Sequence, residues 1–143
     1  MKDYFTKRLE IKLEECNFDY RTNMRTMVRQ DCTTRTISKL LNLPYKEVLK
    51  NQFELGLKYE VGRINWDVIT DDILMAAGYK KRVLLDQCVG QFMYEHKTGK
   101  YAIKAGGHIC AYIDGTWYDS AYDLECPDAF LLEKVRAVYY YLP

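Results

Sequence analysis

The dipeptide Asp114-Gly115 constrains the fold of this chain more than any other feature. It separates two short runs, His108 to Ile113 and Thr116 to Ser120, both rich in apolar, aromatic or β-branched residues. A two-residue hairpin loop of type I′ needs positive φ at both central positions, and Asp-Gly meets that need at low steric cost. Such a loop sets the register. Ile113 faces Thr116, Tyr112 faces Trp117, Cys110 faces Asp119 and His108 faces Ala121. Because side chains alternate along a strand, His108, Cys110, Tyr112, Trp117 and Asp119 then share one face of the sheet.

Further strands are expected around this hairpin. Tyr101 to Ala105 precedes it after the loop Lys97-Thr98-Gly99-Lys100, and Val135 to Tyr141 follows it. Lys80 to Leu85, basic and then aliphatic, reads as an edge strand. Near the start, Leu9, Ile11 and Leu13 alternate with Arg8, Glu10, Lys12 and Glu14, which is the period of a half-exposed strand. The middle of the chain follows a helical period instead. Ile37, Leu40 and Leu41 predict a helix from about Cys32 to Asn42, with Asp31 as its N-cap. Pro44 fits the first turn of a second helix with the apolar stripe Val48, Leu49, Phe53 and Leu57. Asp67 to Ala77, ended by Gly78, reads as a third. Val89 to Tyr94 is a short amphipathic turn or helix. Helices first and strands later predict an α+β fold with an antiparallel sheet.

At 143 residues the chain is expected to form one domain, with residues 1–27 as a variable N-terminal strand or extension. Lys plus Arg is 21 and Asp plus Glu is 20, a balance that excludes nucleic-acid binding by bulk charge. Arg21, Arg25 and Arg29 do form an i, i+4 row beside Tyr20, Met24, Met27 and Val28. The row reads as a phosphate-binding stripe or a solvated face, and Asp19 and Asp31, which offset part of its charge, favour the second. Apolar runs such as Ile73 to Ala77 are far shorter than a membrane span of about 20 residues, so no membrane association is expected. The start of the chain has no apolar signal core, and a cytoplasmic location is expected. The 13 tyrosines read mostly as half-buried sheet residues, with Tyr139-Tyr140-Tyr141 either core or contact surface.

The five cysteines, Cys16, Cys32, Cys88, Cys110 and Cys126, are odd in number and have no C-x-x-C spacing. That pattern argues for reduced thiols, most of them buried, and against a disulfide framework or a zinc site. Only two histidines are present. His96, between Glu95 and Lys97, reads as an exposed surface residue. His108 opens an apolar strand after Gly106-Gly107 and is either structural or a catalytic base. The hairpin register makes Asp119 its diagonal neighbour, at roughly 7–8 Å between Cα atoms. A carboxylate on one ring nitrogen would set the tautomer and leave the other nitrogen as base. Alternatively, Asp119 merely ends a strand. Cys32 is the nucleophile candidate, because the unpaired N–H groups and dipole of a helix N-terminus stabilise a thiolate. Cysteine at an early helix start, with His and Asp on a late hairpin, is the papain-type order.

The segment Asp31-Cys32-Thr33-Thr34-Arg35-Thr36-Ile37, then Leu43-Pro44-Tyr45-Lys46-Glu47-Val48, resembles the opening of small papain-like cysteine hydrolases encoded by bacteria and their phages. Those proteins carry D-C-x-x-R-[AT]-I followed by a helix beginning P-Y-x-E-V. Gly107 to Asp119 resembles their closing G-H-x-x-A-x-I-D-G-x-x-Y-D hairpin, and Val89-Gly90-Gln91-Phe92-Met93 and Gly99-Lys100-Tyr101 also fit. The resemblance covers roughly residues 28 to 142. It implies a papain-like α+β fold, with N-terminal helices packed on a C-terminal antiparallel sheet. By the same likeness Cys32 is nucleophile, His108 base and acid, and Asp119 the orienting group. Arg35, one turn past Cys32, matches a position of the group and would pair with Asp31 or touch substrate.

The chain departs from the papain pattern before the nucleophile. The glutamine that usually lines the oxyanion hole is replaced by Thr26. Gln30 stands two residues before Cys32 and Asn23 nine, so Gln30 is taken as the donor, with the Cys32 backbone N–H as the second. The implied activity is thiol-dependent hydrolysis or acyl transfer at amide or isopeptide bonds of a protein or peptide substrate, without metal or organic cofactor. The competing expectation is an idle papain-like scaffold that binds, and thereby inhibits, a host factor.

Overall fold

A computed structural model describes residues 12–15, 32–59, 66–83, 85–119 and 127–141. The expected N-cap Asp31, the donor Gln30, the arginine row, Cys16, Cys126 and most of the expected strand at Leu9 to Leu13 lie outside these residues. The elements in chain order are β1 (Lys12–Glu15), α1 (Cys32–Leu41), α2 (Tyr45–Lys58), α3 (Trp66–Ala76), β2 (Lys80–Val83), α4 (Val89–Glu95), β3 (Lys100–Ala105), β4 (His108–Ile113), β5 (Thr116–Asp119), α5 (Pro127–Leu132) and β6 (Ala137–Tyr141). The fold is α+β, as the succession of helical and alternating patterns predicts.

The strands form one six-stranded sheet in the order β1-β5-β4-β3-β6-β2. All neighbours are antiparallel except β1, which runs parallel to β5. The sheet is therefore not purely antiparallel, nor purely C-terminal. β2 lies at an edge, as its basic sequence suggests. Asp114 and Gly115 have φ of 47° and 84°, the type I′ signature, and Tyr112 pairs with Trp117 and Ile113 with Thr116 as expected. Gly106 and Gly107, at φ 55° and 74°, make the equivalent turn between β3 and β4, which places His108 opposite Ala105 at the end of the sheet.

Strand alternation divides the core between the two faces. Ala102, Ile109, Ala111 and Tyr139 pack with Ile37, Leu40, Val48 and Leu74 from α1, α2 and α3. Ile103, Cys110, Tyr112, Trp117 and Val138 pack on the other face with Val89, Phe92 and Met93 of α4 and Phe130 and Leu131 of α5. Helices thus cover both faces of the sheet.

Helix α1 is the central one, and it buries polar as well as apolar residues. The Thr34 hydroxyl donates to Gln52 Oε1 at 2.7 Å, and Ser38 donates to the Leu43 carbonyl at 2.5 Å. Thr36 donates to the Ile109 carbonyl at 3.2 Å, which ties α1 to β4. The helix ends where Asn42 turns left-handed at φ 55° and Leu43 N–H reaches back to the Ser38 carbonyl.

In α2 the expected stripe is only half right. Val48 and Leu49 are buried, but Phe53 and Leu57 are 45% and 80% exposed. The buried line runs instead through Tyr45, Val48, Gln52 and Gly56. Thr34 donates to the Gln52 amide oxygen, which offsets part of the cost of burying the amide, while Gln52 Nε2 is buried without a hydrogen-bond partner among the described residues. Among the tyrosines, Tyr45, Tyr112 and Tyr139 are fully buried. Tyr139 donates to Asp71, which also receives Lys81 Nζ at 2.9 Å. No helix of the described residues is long and apolar enough to cross a membrane.

Candidate active site

Cys32 is the first residue of α1. The first four N–H groups of a helix have no carbonyl partner within it, so the Cys32 side chain emerges where backbone donors and the positive end of the dipole are concentrated. One turn further on, Thr36 is hydrogen-bonded to Ile109, the residue after His108. That bond places the helix N-terminus over the beginning of β4. Cys32 is half-buried there and carries a free thiol.

His108 reaches this point from the opposite strand face. Its Nε2 lies 2.9 and 2.8 Å from the two carboxylate oxygens of Asp119, which leaves Nδ1 for Cys32. Asp119 is also held by Trp117, whose indole N–H donates to Oδ2 at 3.1 Å. The His108 and Asp119 side chains are only 13% and 3% exposed. Phe130 of α5 closes the cluster: its ring meets the imidazole edge-on at 5.1 Å and stacks on Trp117 at 5.7 Å.

Opposing influences set the charge of the imidazole. Burial is the largest and pulls its pKa down. Hydrogen bonds to Asp119 and Cys32, and the charges of both, push it up and prevail, taking it from 6.5 to about 10.

The residues expected at Cys32, His108 and Asp119 therefore come together, with Asp119 in the register that the two-residue turn requires. The expected oxyanion donor Gln30 lies outside the described residues. Arg35 is 2% exposed, with its guanidinium 5.5 Å from the Tyr45 ring centroid, and its expected partner Asp31 lies outside the described residues. His96 also differs from the expectation of an exposed residue. It is half-buried, stacks on Phe92 at 3.9 Å and places Nδ1 2.8 Å from the Phe92 carbonyl at the end of α4. Of the described cysteines only Cys110 is buried; Cys88, like Cys32, is partly accessible.

Two parts of the cluster are not evident from the sequence. The hairpin register puts Trp117 on the face it occupies, but hydropathy does not show that its N–H has a carboxylate partner. Helix α5 and Phe130 carry no periodic pattern long enough to predict a helix. Their available signal was Pro127-Asp128 before Phe130 and Leu131, a proline and an acid at a helix start. Among the described residues no group of three or more His, Cys, Asp or Glu is placed to hold a metal. Comparisons with family models, with curated proteins and with solved structures find no match to this chain.

Proposed function

We propose that this protein is a thiol-dependent hydrolase or acyl transferase of papain-like kind, acting on an amide or isopeptide bond of a protein or peptide. The reading rests on one observation: Cys32 at a helix N-terminus meets an imidazole whose other nitrogen is held by a buried carboxylate. Neither half of that arrangement would carry the reading alone, because surface cysteines and buried His–Asp pairs each have structural roles.

In the proposed cycle the proton between Cys32 and His108 resides on the imidazole. The Cys32 sulfur attacks the carbonyl carbon, and the carbonyl π electrons move to oxygen. The backbone N–H of Cys32 and the Gln30 side chain stabilise that oxyanion. As the tetrahedral centre collapses, His108 delivers its proton to the departing amine and a thioester forms. Water or an acceptor amine then attacks the thioester, His108 takes its proton, and the thiolate leaves. Asp119 keeps Nε2–H engaged throughout, so that Nδ1 faces the reacting atoms.

An activated acyl ester tests this directly. Brief incubation followed by peptide mass analysis should find the acyl mass on the Cys32 peptide, and the modification should be lost in Cys32→Ala and in His108→Ala. Acylation distributed over lysines and other cysteines, unchanged in His108→Ala, would refute the reading.

A further inference from the structure

We propose that Trp117 is a positioning residue for the reacting pair, acting through Asp119; the inference rests on the acyl-transfer reading above. A carboxylate that receives one imidazole N–H can still rock about its χ angles, and the ring would rock with it. Here two different donors hold the carboxylate, and they share its Oδ2. His108 Nε2 lies within 2.9 Å of both oxygens, while the Trp117 indole N–H takes Oδ2 at 3.1 Å. Trp117 and Asp119 are two residues apart on β5, so they project from the same strand face and the indole reaches the carboxylate without crossing the sheet.

The indole is itself fixed. Trp117 is 2% exposed and stacks on Phe130, whose rings lie 26° from coplanar. The Phe130 ring then meets the imidazole at 89°. A closed circuit results: Trp117 to Asp119 by a hydrogen bond, Asp119 to His108 by an ion pair, His108 to Phe130 and Phe130 to Trp117 by ring contacts. Every member is at most 13% exposed at its side chain or 5% as a residue. Rotation of the imidazole away from Cys32 would have to break one of these contacts in a site with little water to replace it. The donor also accounts for a tryptophan rather than another large apolar residue at this position, since a buried indole N–H requires an acceptor.

The test is the rate at which Cys32 reacts with iodoacetamide, followed by peptide mapping. Trp117→Phe keeps an aromatic ring against Phe130 and deletes the N–H. Its Cys32 rate should fall roughly tenfold, the worth of one hydrogen bond to a charged group. Because Trp117 acts through the carboxylate, Trp117→Phe should slow the reaction no further in an Asp119→Ala background. A purely structural tryptophan gives losses that add, and additivity overturns the proposal, as does an unchanged rate in the single variant. If Cys32 of the wild-type protein reacts no faster than Cys88 and Cys110 and His108→Ala changes nothing, the acyl-transfer reading fails and this inference with it. Selective, His108-dependent reaction of Cys32 combined with either overturning result removes the positioning role alone. A second measurement needs no Trp117 variant. The chain has two tryptophans, so two indole N–H resonances are expected. Alkylation of Cys32 should move that of Trp117. A Trp117 resonance that stays in place overturns the proposal.

Discussion

Replacing Asp119 by Asn keeps the shape of the side chain and removes the charge that faces His108. Water screens little of that interaction, because the two side chains are 13% and 3% exposed. Burial lowers the imidazole pKa, yet the hydrogen bonds and charges of Asp119 and Cys32 carry it from 6.5 to about 10. A pKa higher in the folded than in the unfolded chain means that the folded state holds the proton more tightly. The resulting stabilisation is complete below about pH 6.5 and is lost as pH rises through about 10. At about 1.36 kcal/mol per pH unit it is on the order of 5 kcal/mol, at the top of the range of about 3–5 kcal/mol for breaking a buried ion pair. Cys32 supplies part of that sum, so Asp119→Asn should cost about 2–3 kcal/mol at pH 6.5. Urea unfolding of both proteins at pH 6.5 and pH 9.5 provides the assay. The difference between them should be largest at pH 6.5 and shrink at pH 9.5. Buried tyrosines such as Tyr79 and Tyr112, whose pKa values burial raises to about 12, titrate alike in both proteins and cancel. No difference at pH 6.5, or one that is equal at the two pH values, would refute the assigned coupling.

In the acyl-ester assay, Asp119→Asn should retain more thioester formation than Asp119→Ala, since an amide oxygen still accepts from Nε2–H and a methyl group does not; equal losses would contradict this order. Thr36→Val removes the hydroxyl that ties α1 to the Ile109 carbonyl and should cost about 1 kcal/mol in urea unfolding, together with a slower Cys32 alkylation. Gly106→Ala should destabilise more than Gly107→Ala. Both positions have positive φ, worth about 1–2 kcal/mol for a residue with a side chain, but only at Gly106 does the new Cβ come within 3.0 Å of the Glu133 side chain; thermal melts of the two variants give the comparison.

The parts legible in the sequence were those governed by local chemistry. Asp114-Gly115 specified its own turn and register, and through them the neighbourhood of His108 and Asp119. Asn42 and Gly78 marked helix ends because few residues adopt their left-handed φ of 55° and 96°. What could not be read depends on contacts between distant segments. Gln52 replaces Phe53 in the buried line of α2 because of Thr34 on another helix. β1 pairs with β5 across about a hundred residues of chain, and no local pattern indicates that pairing or its parallel sense. His96 has polar neighbours in sequence but lies against Phe92, which is visible only once the helix has formed. The same holds for Trp117, whose role depends on an acceptor placed by the hairpin and a ring supplied by α5.

The most direct test of the central claim is the pH dependence of Cys32 alkylation, read by mapping the modified cysteine in the wild-type protein and in His108→Ala. A sulfur paired with a raised imidazole should react at pH 6 faster than Cys88 and Cys110, and that advantage should disappear in His108→Ala. Equal modification of the cysteines at pH 6, or a Cys32 advantage that survives the loss of His108, would contradict the account.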